Sequence, residues 1–173
     1  RFFLVDPVDG TKAFVRGDPN FTVNIGLIEN GRPVAGAVTA PASDETWFTQ
    51  GGQAMKRQIG GAAEPVTVRP WPKGAAVALV SHTMSEETAK KLADQYGFDL
   101  REPMDSSIKF CRLAEGAADI YPRHGPTMEW DIAAGHAVLQ AAGGQLKTPE
   151  GEDFVYGKAD AGFRNGWFVA RGG

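Results

Sequence analysis

An apolar run that ends on two carboxylates and a glycine constrains this chain more than any other feature. The segment reads Phe3-Leu-Val-Asp-Pro-Val-Asp-Gly-Thr-Lys-Ala13. Asp6 and Asp9 lie three residues apart across a proline, so they can converge on one point beyond a strand. Gly10 tolerates dihedrals that other residues avoid and lets the backbone turn there. A short helical turn over 11–14 then aims its amides at whatever the acids hold. Carboxylates beside backbone donors suit a hard cation bridging to an anion, most simply magnesium to phosphate. Asp-Pro and Asp-Gly are also ordinary turn signals, so this segment alone leaves a solvated turn open.

A second segment bears on the choice. Trp130-Asp131-Ile-Ala-Ala-Gly135 opens a helix of small and apolar residues that stops at Gly143-Gly144. The pattern puts Asp131 at the N-cap, where aspartate is favoured without any metal. A helix N-terminus opposes a cation, so a metal there relies on the carboxylate and on other acids to offset the dipole.

Together the two segments resemble the inositol monophosphatase superfamily of magnesium-dependent, lithium-sensitive phosphatases. Its signatures are Asp-Pro-x-Asp-Gly-Thr followed by phenylalanine, and Trp-Asp-x-Ala-Ala-Gly. Here they read Asp6 to Thr11 with Phe14, and Trp130 to Gly135, without departure. The resemblance implies two or more Mg2+ ions, with Asp6 bridging two of them. Asp9 and Asp131 would complete one ion and the carbonyl of Val8 would serve the other. It also implies that the amides of Gly10 and Thr11 hold phosphate oxygens and that the Thr11 hydroxyl orients the attacking water, with Thr11 and Asp9 as the catalytic pair. Magnesium ions neutralise the phosphoryl oxygens and stabilise the leaving oxygen in an in-line displacement.

The middle of the chain narrows the substrate. Ser106-Ser-Ile-Lys109-Phe-Cys, an arginine fourteen residues beyond the lysine and a histidine after the preceding strand resemble the 3′(2′),5′-bisphosphate nucleotidase branch. That likeness implies that His82, Ser106, Lys109 and Arg123 contact the nucleotide. A substrate with two phosphates needs cations beyond the metal site, and arginine's forked donors suit phosphate oxygens. The implied reaction removes the 3′-phosphate of adenosine 3′,5′-bisphosphate to give AMP. Two alternatives stand beside it: an inositol monophosphatase or sugar bisphosphatase of the same superfamily, and a non-catalytic phosphate- or metal-binding fragment.

Periodicity supplies the organisation. Residues 21–29 alternate, Asn30-Gly31 gives a hairpin turn and 32–39 returns. Further strands are predicted at 45–49 and 66–69. Pro70-Trp-Pro72-Lys-Gly74 breaks the pattern and marks a division into an N-terminal α+β lobe, 1–72, and a C-terminal α/β lobe, 73–173. Beyond it, strands (76–80, 118–122) and helices (85–96, 106–115, 131–142) alternate, with Thr83 and Glu86 spaced as a capping box. Short strands near 144–147 and 166–170 close the chain. The fold implied by the resemblance is the layered α-β-α-β-α sugar-phosphatase sandwich, α+β overall, with its active site between the lobes. Arg1 already lies inside a strand, so the family's N-terminal helical part, with a metal-binding glutamate and a water-activating acid, is expected to lie outside this sequence.

Composition excludes several classes. The 173 residues carry a net charge of −3 without a polybasic stripe, which argues against nucleic acid as a partner. No apolar run approaches membrane-spanning length. The single Cys111 cannot form an internal disulfide and suits a reducing cytoplasm. A small-molecule bisphosphate is the expected partner, on a monomer or homodimer.

Overall fold

The computed structural model describes residues 1–173. Its first half is a meander. β1 (Phe2–Asp9) leads through α1 (Thr11–Arg16) to β2 (Thr22–Glu29), β3 (Arg32–Ala40), β4 (Glu45–Gln50), β5 (Gln53–Gln58) and the short β6 (Glu64–Pro65). Each strand pairs antiparallel with the next, in that order. Asn30 and Gly31 both have positive φ, 51° and 74°, which is the turn that matches strand twist in a two-residue hairpin. Along β2 the even-numbered residues, from Thr22 to Ile28, are buried, as the period of two requires.

The second half is a mixed sheet crossed by helices. β7 (Val77–Val80) is followed by α2 (Glu86–Tyr96), β8 (Leu100–Pro103), α3 (Ile108–Ala114) and β9 (Ile120–Arg123). After β10 (Thr127–Met128) come α4 (Glu129–Ala141), β11 (Gln145–Lys147), β12 (Arg164–Asn165) and β13 (Phe168–Arg171). The sheet order is β11-β13-β9-β7-β8, with β7 parallel to both β8 and β9, and β10 pairs separately with β12.

Helices α3 and α4 lie between the sheets. One core joins Val38 and Trp47 of the first sheet to Cys111 and Val138 of the helices. Another joins Phe110 and Leu139 to Tyr121 and Phe168 of the second sheet. Leu92 of α2 packs with Ala78 and Val169 on that sheet's far side. The layers therefore run β-α-β-α, four of the five named by the sequence reading. The outer face of the first sheet leaves Phe3, Val5 and Ile25 exposed. Close approach of α4 to β3 depends on Gly36, where a Cβ would sit 2.4 Å from the Ala134 carbonyl oxygen.

Three local expectations change. Residues 66–69 form no strand; pairing stops at Pro65, and the chain crosses between the sheets with Val68 N donating to the Ala142 carbonyl. Helix α2 is capped by Ser85, whose Oγ accepts from Thr88 N at 3.2 Å, rather than by a Thr83–Glu86 box. Helix α4 begins at Glu129, so Asp131 is its third residue rather than its N-cap. The Asp131 carboxylate reaches back to Met128 N at 2.7 Å and starts the helix two residues earlier.

Candidate active site

The two sheets bring acids from both ends of the sequence to one place. Asp6 and Asp9 stand at the C-terminal end of β1, and Asp131 stands in the first turn of α4. Carboxylate oxygens of the three lie within 4.8 Å of one another. Between Asp6 and Asp9 the β1–β2 register shifts: two residues, Pro7 and Val8, oppose Val23 alone. That bulge takes Val8 out of the ladder and turns the strand end toward α4. Gly10, with φ of +82°, makes the turn into α1; a Cβ there would lie 2.9 Å from the Asn20 carbonyl oxygen.

Each acid accepts hydrogen bonds from N–H or O–H donors on one oxygen only, and the Asp6 and Asp131 carboxyls also face each other. Asp6 Oδ1 accepts from Val8 N at 3.0 Å and Asp131 Oδ2 from Met128 N. Asp9 Oδ2 accepts from Ser107 N at 2.6 Å and Ser107 Oγ at 2.8 Å, with Asn24 Nδ2 and Thr22 Oγ1 at 3.4 and 3.5 Å. None of the three enters an ion pair with lysine or arginine. Burial and repulsion from Asp9 hold the Asp6 carboxyl above its ordinary range. Burial, with Asp9 and Asp6 as neighbours, pushes Asp131 up to about 6, against the opposing Met128 amide. Crowded acids with no protein cation fit a hard, oxygen-seeking dication.

Beside the acids a cleft of about 320 Å³ opens between the sheets. Its wall includes Asp9, Gly10, Thr11 and Asp131, and on the other side His82, Ser106, Lys109 and Arg123. Lys109 is 3% exposed; its Nζ donates to the Met104 carbonyl at 3.0 Å and lies 4.8 Å from the Tyr121 ring centroid. Burial lowers its pKa to about 8, with Asp9 opposing and Arg123 reinforcing the shift. Arg123 donates to the Pro126 carbonyl at 3.3 Å, and its Nε is buried without a partner. Neither cation forms an ion pair with a carboxylate, although Asp9 and Asp105 lie close enough to act on Lys109.

A family profile decides what the arrangement belongs to: the inositol monophosphatase family matches residues 1–169. The chain belongs to that family. Among curated relatives, the 3′(2′),5′-bisphosphate nucleotidase CysQ of Salmonella typhimurium is 42% identical over 156 residues, covering 90% of this chain and 62% of that one. The Escherichia coli K12 CysQ is 39% identical over 170 residues, covering 98% and 68%. The chain thus spans about two thirds of the length of these relatives. The crystal structure of CysQ from Bacteroides thetaiotaomicron superposes with a TM-score of 0.85 at 35% identity, covering 99% of this chain and 69% of that one. The layered α+β architecture of the inositol monophosphatase family is therefore the fold of this chain. The family signatures, Asp6 to Thr11 and Trp130 to Gly135, are the two segments that meet at the acids.

Three polar residues at the site escaped the sequence reading. Ser107 and Asn24 are buried and bond directly to Asp9, and Thr22 reaches the same oxygen. Ser107 is 98 residues from Asp9 along the chain, and no local pattern announces that pairing. The inward alternation of β2 placed Thr22 and Asn24 in the core, and two polar residues at core positions were the available signal.

Proposed function

We propose that this chain carries the metal and substrate residues of a magnesium-dependent phosphomonoesterase that takes the 3′-phosphate from adenosine 3′,5′-bisphosphate, giving AMP and phosphate. One observation carries the reading: Lys109 and Arg123, which form no ion pair with a carboxylate, face the same cleft as Asp9 and Asp131. A substrate with one phosphate needs the acids and their cation; only a second phosphate needs the two cations. The CysQ relatives, named as 3′(2′),5′-bisphosphate nucleotidases, support the same choice.

In this reading carboxylate oxygens of Asp6, Asp9 and Asp131, with the Val8 carbonyl, hold Mg2+. When bound, the ions supply charge neutralisation at the phosphoryl oxygens and a more acidic water. The amides of Gly10 and Thr11 orient the phosphate to be cleaved, and the Thr11 hydroxyl positions the attacking water. The water oxygen bonds to phosphorus as the bond to ribose O3′ breaks and that oxygen takes up a proton. Lys109 and Arg123 hold the phosphate that stays, while Ser106 and His82 contact the nucleoside. No helix is long and apolar enough to cross a membrane; a cytoplasmic setting is proposed from the single cysteine, for a monomer or homodimer.

Phosphate release by the full-length protein tests the reading. Adenosine 3′,5′-bisphosphate is expected to exceed inositol 1-phosphate in kcat/KM by about 10–100-fold, the worth of charge-assisted hydrogen bonds to the second phosphate. Equal or reversed preference would select an inositol or sugar phosphatase. Calorimetric Mg2+ binding without turnover of either compound would select a binding module.

A further inference from the structure

Ser107 lies where the two halves of the cleft touch. It precedes α3, is 2% exposed, and bonds to groups from three other elements. Its amide and hydroxyl both donate to Asp9 Oδ2 of β1, at 2.6 and 2.8 Å. The hydroxyl also contacts the backbone carbonyl of Asp131 in α4. Asn24 of β2 donates Nδ2 to the Ser107 hydroxyl at 3.0 Å. The hydroxyl has one proton for two acceptors; given to the Asp131 carbonyl while the amide holds Asp9, it ties Asp9 to the Asp131 turn. The residue before it, Ser106, has φ of +57°, an uncommon conformation for a residue with a side chain. Residues 106, 107 and 109 all line the cleft, with Ser107 and Lys109 almost fully buried.

We infer that Ser107 is a positioning residue: it turns the open oxygen of Asp9 toward the cation position and couples the nucleotide segment, Ser106 to Lys109, to the acids. The inference rests on the divalent-cage reading above. Ser107 holds Oδ2 of Asp9, and carboxylate oxygens of Asp9, Asp6 and Asp131 lie within 4.8 Å of one another. Nucleotide bound to Ser106 and Lys109 steadies the backbone between them, and that backbone holds Asp9. Metal and nucleotide therefore favour each other's binding, by the same factor in each direction.

The test is calorimetry on the full-length protein, titrating Mg2+ with and without AMP. In the wild type, AMP is expected to tighten Mg2+ binding. Ser107→Ala is expected to weaken Mg2+ binding about tenfold, one hydrogen bond to a charged group, and to erase most of the AMP effect. Ser107→Thr, which keeps the hydroxyl, is expected to restore both. Ser107→Cys keeps the volume and weakens the donor; an affinity loss of several-fold there is expected even if the alanine variant does not fold. Mg2+ affinity and AMP coupling unchanged in Ser107→Ala or Ser107→Cys, with only the melting temperature lowered, would make the residue merely structural and overturn the inference. No Mg2+ binding by the wild type would instead remove the cage reading, and this inference with it.

Discussion

At the residue scale, polar groups in this fold are held in states that water would not give them. His136 is 6% exposed on α4, and its Nδ1 lies 2.9 Å from the Tyr156 hydroxyl. Burial lowers its pKa from 6.5 to about 4, with Asp153 opposing and Arg32 adding to the shift. The folded protein keeps this ring neutral, whereas the unfolded chain protonates it below about pH 6.5. The contribution of His136 to stability is thus full above pH 6.5 and lost as pH falls toward 4, by on the order of 3 kcal/mol. Urea melts at pH 7 and pH 4.5 check this: the acid-induced drop is expected to be smaller in His136→Asn. An equal drop in the variant would place the acid sensitivity in other groups. Such histidines give no sequence signal, nor does Ser107, because both depend on partners far along the chain. Asp6, Asp9 and Asp131 were legible because their chemistry is written in short fixed spacings.

At the scale of elements, small residues decide how closely layers approach. Gly135 of α4 faces Phe110 of α3, and a Cβ there would lie 2.5 Å from Phe110 Cδ2. Gly135→Ala should cost about 1–3 kcal/mol in a denaturant melt, since α3 or α4 must shift to admit one methyl group. A change within error would mean that the helices slide freely against each other. Alternation revealed β2, β3 and the β7 strand because one or both faces are buried. It missed β8, whose four residues are all exposed, and β5, in which only Ala54 is buried. The strand expected at 66–69 carried the right residues, yet β6 had already ended the sheet. Asp131 looked like a cap because aspartate serves both at the N-cap and, reaching back, at the third helical position.

At the scale of the whole molecule, the proline-rich break at 70–74 divides the sequence more cleanly than it divides the core. Val38 and Trp47 from one side pack with Ile108, Cys111 and Val138 from the other. Arg69, just before the break, forms two hydrogen bonds of 2.7 Å to Asp119, which also accepts from Val77 N. We propose that 1–72 and 73–173 are lobes of one folding unit rather than independent domains. Each half expressed alone is expected to lack a cooperative melt, and a sharp transition in either would oppose this. The shared core has a functional consequence, because it fixes α4 against β2 and β3 and so sets Asp131 beside Asp6 and Asp9. Whether those acids work together is best tested by Mg2+-dependent phosphate release from adenosine 3′,5′-bisphosphate, compared between the full-length wild type and Asp131→Asn. Turnover in the wild type is expected to rise with Mg2+, stop with a chelator, and fall at least about 100-fold in the variant. Turnover that survives chelation, or a variant as active as the wild type, would contradict a cation cage built across the two lobes.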